Sequence, residues 1–203
     1  MSKLQVVLEQ DGADFPHAKA RAEQPLSDEA LIARIAAADR LAIQLLYARH
    51  HVRIYRFVLR LSGNATLAED MLSEVFLDVW RHADKFQGRC AVSTWLLTIA
   101  RNKAVSTLRR TREQEWDDRL AATVEDPSDN PEASIQNAQR SEVLRRCLAQ
   151  LSADHREIVD LVYYHEKSIK EVATIVGIPE ATVKTRMFYA RKHLAKMLEG
   201  VEV

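Results

Sequence analysis

Charge lies along this chain in three blocks, and that arrangement limits the folds open to it. Residues 101–112 (RNKAVSTLRRTR) carry five Lys or Arg and no carboxylate, and residues 184–196 (KTRMFYARKHLAK) repeat that balance. Between them, residues 113–132 hold eight acids against one arginine, a net charge of minus seven. A stretch so charged, broken by Pro127 and Pro131, has too little apolar surface to enter a core and reads as a linker between two lobes. The overall charge of zero conceals this polarity. Two cationic surfaces suit phosphate backbones, because each Lys or Arg paired with a phosphate releases condensed counterions. Solvated helix faces are the plainer reading of the same charges.

Glycine and proline are scarce at five each among 203 residues, and apolar residues seldom alternate with period two. The expected fold is all-α, with two small helical domains joined by a flexible acidic linker. The expected limits are a tail over 1–26, a first domain over 27–112, the linker over 113–136 and a second domain over 137–199. Each lobe has fewer than about 90 residues, a size that buries only about 60 % of its unfolded surface, so each gains from docking on a partner.

Several function classes drop out. No run approaches the roughly 20 apolar residues of a membrane span, so no membrane insertion is expected. The first residues, MSKLQVVLEQDGADFPH, place acids directly after a short apolar patch, unlike a signal peptide. Cys90 and Cys147 form no CxxC and read as reduced thiols of a cytoplasmic protein. The histidines are scattered, and adjacent His50 and His51 point in different directions on a helix, so no metal is expected. No Ser/His/Asp set or phosphate loop appears, so neither an enzyme nor a cofactor is expected.

Local patterns place the helices. Ser27-Asp28 starts a short helix with Leu31, Ile32 and Ile35 on one stripe, and a longer helix follows over 39–61, stopped by Ser62-Gly63-Asn64. Thr66 and Glu69 have the spacing of a capping box for the next helix. Its Leu72, Val75, Phe76, Val79 and Trp80 make a helical stripe, while Glu69, Asp70, Ser73, Glu74 and Asp78 occupy the opposite face. Residues 87–90 break the pattern as a loop. Ser93 is the expected cap of a helix that continues through Trp95 and Leu96 into the first basic run. Beyond the linker, Ile135, Val143, Leu144, Cys147, Leu148 and Leu151 are apolar, and Ser152 is expected to cap a helix bearing Ile158, Val159, Leu161 and Val162.

Residues 168–196 (SIKEVATIVGIPEATVKTRMFYARKHLAK) carry the most specific signal. Ser168 and Glu171 make a second capping box, and Gly177 suits a turn of positive φ. Pro179 fits just ahead of a helix, where its missing amide costs nothing. Val183 and Met187 then face inward, and Thr182, Lys184, Thr185, Arg186, Tyr189 and Arg191 are left to read DNA. This is a helix-turn-helix whose second helix suits the major groove. In the first lobe, the helix bearing Trp95 enters the basic run and the loop before it carries Arg89, an aromatic beside cations that suits unstacked bases of a single strand, although packing is the commoner role of a lone Trp.

These segments, taken in order, resemble the extracytoplasmic-function sigma factors, two-domain specificity subunits of bacterial RNA polymerase. The resemblance runs over 28–198. Residues 68–76 (AEDMLSEVF) resemble the family's "AEDxxQEvF" polymerase-binding helix, and residues 93–102 (STWLLTIARN), with Phe86-Gln87-Gly88 before them, resemble its promoter-melting segment. Residues 151–157 and 182–191 resemble its C-terminal helix-turn-helix domain. Ser73 stands where glutamine is usual, and Lys184 and Tyr189 stand where arginine is frequent. The resemblance implies that Asp70, Glu74 and Asp78 face core polymerase and that the residue 182–191 helix reads the minus-thirty-five element as duplex. It implies that the residue 86–92 loop captures a flipped base of the melted minus-ten strand, with Arg101, Asn102 and Lys103 beside it. It also implies an anti-sigma factor as a partner. Two rivals from other classes are an autonomous helix-turn-helix regulator, which leaves the acidic helix without a role, and a nucleic-acid enzyme, supported only by scattered carboxylates.

Overall fold

Helix ends in this protein are set by single polar side chains and by two left-handed glycines. The computed structural model describes residues 26–114, 144 and 146–198; the expected tail over 1–25, residues 115–143 with Ile135 and Val143, and residue 199 lie outside them. Helix α1 (Asp28–Ala36) is capped by Ser27, whose hydroxyl accepts from the Ala30 amide at 3.2 Å. Helix α2 (Arg40–Ser62) is capped by Asp39, which accepts from the amides of Leu41 and Ala42 and pairs with Arg34 at 2.6 Å. It ends where Gly63 takes φ 64°, a conformation that costs an L side chain roughly 1–2 kcal/mol.

Two expected caps are corrected. Helix α3 (Ala65–His82) is capped by Asn64, which accepts from the Leu67 amide at 3.1 Å. Thr66 and Glu69 therefore sit inside the helix and form no capping box, because the reversal at Gly63 is already complete one residue later. Helix α4 (Val92–Gln114) begins one residue before Ser93, with the Trp95 amide bonded to the Ala91 carbonyl at 3.1 Å. The Ser93 hydroxyl is thereby freed for another contact. A 3-10 turn (Ala83–Lys85) and the residue 86–91 loop join α3 to α4.

The remaining starts follow the sequence. Ser152 caps α5 (Ala153–Tyr163) through the His155 amide. Ser168 and Glu171 close a complete capping box on α6 (Ile169–Val176), Gly177 takes φ 71°, and α7 (Glu180–Leu198) follows Pro179. No strand occurs among the described residues.

Helices α1–α4 enclose one set of buried side chains, among them Leu31, Ile35, Leu46, Phe57, Met71, Val75, Val79 and Leu96, each under 3 % exposed. Ile158, Leu161, Val172, Ile175, Val183 and Met187 fill the space between α5, α6 and α7. Each such side chain contributes about 1.5–3 kcal/mol through burial. The expected stripe on α3 is buried, with Trp80 half-exposed, and its acidic face is outside. One feature exceeds the expectation of two tethered lobes: α4 packs against α6, and α2 touches α5.

Candidate nucleic-acid interface

The helix-turn-helix is built by α6, the Gly177 turn and α7. Val183, Met187 and Ala190 are buried, which fixes the helix and turns the intervening residues outward. Lys184, Thr185, Tyr189 and Arg191 are exposed, while Thr182 and Arg186 are half-buried. The Thr185 hydroxyl donates to the Ala181 carbonyl at 3.0 Å. Arg186 reaches the Asp154 carboxylate of α5 at 2.7 Å. Arg191 donates from Nε to the Tyr163 hydroxyl at 3.1 Å, with its guanidinium 5.8 Å from the Tyr163 ring centre. The two arginines of the outward face are thus each held by a side chain of α5, and exposed Phe188 stands edge-on to Tyr189.

The first-domain candidates are arranged differently. Arg89 is exposed in the loop where Gly88 has φ 65°. Trp95 is half-buried with its ring centre 5.1 Å from that of Phe86, and it packs against the core. Asn102 is exposed. Lys103 lies 2.9 Å from Asp78 and 3.3 Å from Glu74, and the hydrogen bond to Asp78 raises its amine above the ordinary lysine value despite some desolvation. A cation expected to meet DNA and two acids expected to meet polymerase are therefore gathered into one cluster. Asp70 stands apart and exposed.

Arg101 points to the second domain. Its guanidinium donates twice to the Glu157 carboxylate of α5, at 2.7 and 3.3 Å. Around this pair runs a polar seam. Arg60 of α2 pairs with Asp160, whose other oxygen is 3.3 Å from His165; Arg60 also covers the Tyr164 ring at 4.8 Å. Thr94 donates to Glu171 at 2.7 Å, and Lys167 donates to the freed Ser93 hydroxyl at 2.6 Å. Glu157, Asp160 and His165 are all below 10 % exposed. Breaking one half of a buried pair of this kind costs about 3–5 kcal/mol. Burial opposes the charge of Glu171, but hydrogen bonds from Thr94 and Ser168 and the nearby Lys167 outweigh it and bring its pKa down to about 2. The depressed value means that its contribution is present above the ordinary carboxylate pKa and is lost as pH falls toward 2.

The seam was not legible in advance. Arg101 and Glu157 are 56 positions apart, Thr94 and Glu171 77, and Arg60 and His165 105, and no local spacing marks such pairs. Asp154 and Tyr163 were missed for the same reason, although both fall in the segment expected to be helical. Among the described residues, no group of three or more His, Cys, Asp or Glu is placed to hold a metal ion. Burial raises the Cys90 thiol, with Glu171 adding to the effect. No helix among the described residues is long and apolar enough to cross a membrane.

Comparison with known proteins joins these parts. Residues 46–114 match the family described as Sigma-70 region 2, and residues 141–194 match Sigma-70, region 4. The chain is 34 % identical over 179 residues to the ECF RNA polymerase sigma factor SigL of Mycobacterium tuberculosis, covering 86 % of this chain and 98 % of the relative. It is 33 % identical over 174 residues to SigM of the same species, covering 85 % of each. Among solved structures, the sigma factor RpoE bound to the anti-sigma factor NepR, from Bartonella quintana, superposes with TM-score 0.64 at 26 % identity, over 78 % of this chain and 98 % of that one. CnrH in complex with the cytosolic domain of CnrY has the same fold, with TM-score 0.63 at 23 % identity, over 86 % and 99 % of the two chains. An autonomous regulator accounts for only one of the two matched regions. The chain belongs to the ECF sigma factors, the specificity subunits that direct bacterial RNA polymerase to promoters.

Proposed function

We propose a division of labour within this sigma factor that follows the two lobes, 27–112 and 137–199, with 113–136 between them. The second lobe reads the minus-thirty-five element as duplex through Thr182, Lys184, Thr185, Arg186, Tyr189 and Arg191. Arginine forks and hydroxyls suit base edges in the major groove, and lysines suit phosphate. The first lobe offers Asp70, Glu74 and Asp78 to the polymerase and takes the melted minus-ten strand at Arg89, Trp95, Arg101, Asn102 and Lys103. Flipping a base costs a few kcal/mol of unstacking, which contacts worth about 1–3 kcal/mol per base must offset. The protein works in the cytoplasm without bond chemistry of its own. RpoE was captured with the anti-sigma factor NepR, and we propose an anti-sigma factor here as well.

The observation that carries this reading is the pairing, in one chain, of an outward basic recognition helix with a separate acidic helix face. A gel shift on promoter duplex with and without core polymerase tests it: a tight complex should require polymerase. In the same assay Glu74→Lys should lose core binding with an unchanged helical circular-dichroism spectrum. Normal capture of core enzyme by that variant rules out the docking face.

A further inference from the structure

Helix α2 carries an apolar row that the described residues leave exposed. Leu41, Leu45, Ala48 and Val52 follow one another at i, i+4, i+7 and i+11, so on a helix of 3.6 residues per turn they share an arc of about 60°. All four are exposed, with Leu41, Leu45 and Val52 at 55, 38 and 43 %. Single exposed apolar residues are ordinary on a surface, but a continuous row on one helix marks a contact. Arg49, Arg53 and Arg56 run along one edge of the row and are exposed as well. Arg49 also fixes where the preceding chain arrives. Its guanidinium donates to the Leu26 carbonyl at 2.5 Å and to the Asp28 carboxylate at 2.9 Å, and Leu26 is itself exposed. Residues 1–25 therefore join the molecule beside the row.

We propose that residues 4–8 of this same chain (LQVVL) cover that row. Leu4, Val6, Val7 and Leu8 are the densest apolar group ahead of Leu26. Glu9, Asp11 and Asp14 come directly after them, opposite in sign to Arg49, Arg53 and Arg56. The 18 positions from Leu8 to Leu26 span at most about 60 Å. Leu41 and Val52 lie about 17 Å apart along the helix, so the tether reaches every part of the row. Attachment at Leu26 makes the contact intramolecular, with an effective concentration on the order of mM. A second copy of the chain, or a foreign helix, must outcompete it. The α2 face of the first domain is thereby closed to weak apolar partners until residues 4–8 are displaced, while the recognition helix takes no part.

The test uses the full chain with the photo-crosslinking residue p-benzoylphenylalanine in place of Val7. Irradiation of dilute protein, followed by peptide mapping, should place the crosslink within one molecule and inside residues 41–56. Adding Leu41→Asp and Leu45→Asp, both at exposed positions, should cut its yield about tenfold with an unchanged helical circular-dichroism spectrum. Adding Glu9→Lys, Asp11→Lys and Asp14→Lys instead should cut it about two- to threefold at low salt and leave it unchanged at 1 M salt, where screening acts within about 3 Å. A crosslink confined to residues 1–25, or landing in the second domain, overturns the proposal. So does a crosslink between molecules whose yield rises with protein concentration, which would assign the row to a second copy. Should the Leu41→Asp and Leu45→Asp protein fail to fold, Leu4→Asp with Leu8→Asp breaks the same contact and leaves every described residue as it is. A yield that survives those changes overturns the docking of residues 4–8.

Discussion

Helices α4 and α7 have the same charge balance, five Lys or Arg and no acid across their basic runs, yet the start of the α4 run is engaged by other helices, while its Arg109 and Arg110, like most cations of α7, are exposed. On α4, Arg101 and Lys103 are engaged by Glu157, Asp78 and Glu74, all from other helices. On α7, Lys184, Arg191, Lys192 and Lys196 are exposed, and Arg186 meets the Asp154 carboxylate. The difference comes from surroundings. Helix α4 lies between α2, α3 and α6, two of which carry acids toward it, whereas α7 buries one narrow stripe and leaves the rest to solvent. Charge in a sequence says how much cation a helix owns; packing decides how much of it a ligand can reach.

The sharpest way to break this contrast is to remove the domain that creates it. Leu161 is fully buried among α5, α6 and α7. Leu161→Ala should cost about 2–5 kcal/mol, enough to unfold so small a domain. Calorimetry should then show the α1–α4 lobe melting by itself, and α4 should gain the single-strand binding that α7 loses for duplex. A single unchanged transition would mean that the two lobes are one cooperative unit and that the contrast between their helices is misplaced.

Next in size is Arg186→Ala. If Arg186 makes a bidentate base contact, its loss should weaken minus-thirty-five binding by about 1–3 kcal/mol and relax preference at one base pair. Core polymerase binding should stay as it was. Normal transcription across several promoter variants would remove Arg186 from the reading face. A smaller effect separates the two sets of cations by their salt response. Neutralising Lys184, Lys192 or Lys196 should each lower the slope of log affinity against log salt for random duplex by about 0.9 if it meets a phosphate. Neutralising Lys103 should leave that slope unchanged in the free protein. Equal slopes for both sets would show that the pairing on α4 does not withhold its charge.

Much of the fold could be read from local chemistry. Ser27, Asp39, Ser152 and the Ser168/Glu171 box set helix starts through contacts of at most three positions, and the glycines 63 and 177 set stops. Asn64 was misjudged because Thr66 and Glu69 match a capping pattern equally well, and only the course of the chain after Gly63 chooses between them. Ser93 fits a cap by pattern, but α4 already begins at Val92 and the hydroxyl accepts from Lys167 instead. Helix α7 was legible because its inward residues Val183 and Met187 repeat at i and i+4. The partners of Arg101, Arg186 and Arg191 were not, because the chain must fold before those distances exist.

Asp154 provides the smallest and most discriminating effect. It sits in the first turn of α5, is 61 % exposed, and lies 2.7 Å from Arg186. An ion pair so exposed contributes little to stability, about 0–1 kcal/mol, so a melting experiment on Asp154→Ala should show almost nothing. Its two possible effects on DNA binding have opposite signs. As a negative charge beside the reading face it opposes phosphate, and its removal should tighten binding to every duplex alike. As a brace for the guanidinium it fixes the fork that faces one base edge, and its removal should lower the ratio of specific to random binding. Both can operate, and the ratio isolates the second because a general charge effect cancels from it. Asp154→Glu, which keeps the charge and lengthens the arm, should restore repulsion toward random duplex but only part of the ratio. If the ratio for Asp154→Ala equals that of the parent, the α5 carboxylate does not brace Arg186, and the ion pair on α7 differs from those on α4 in leaving its cation's use unchanged.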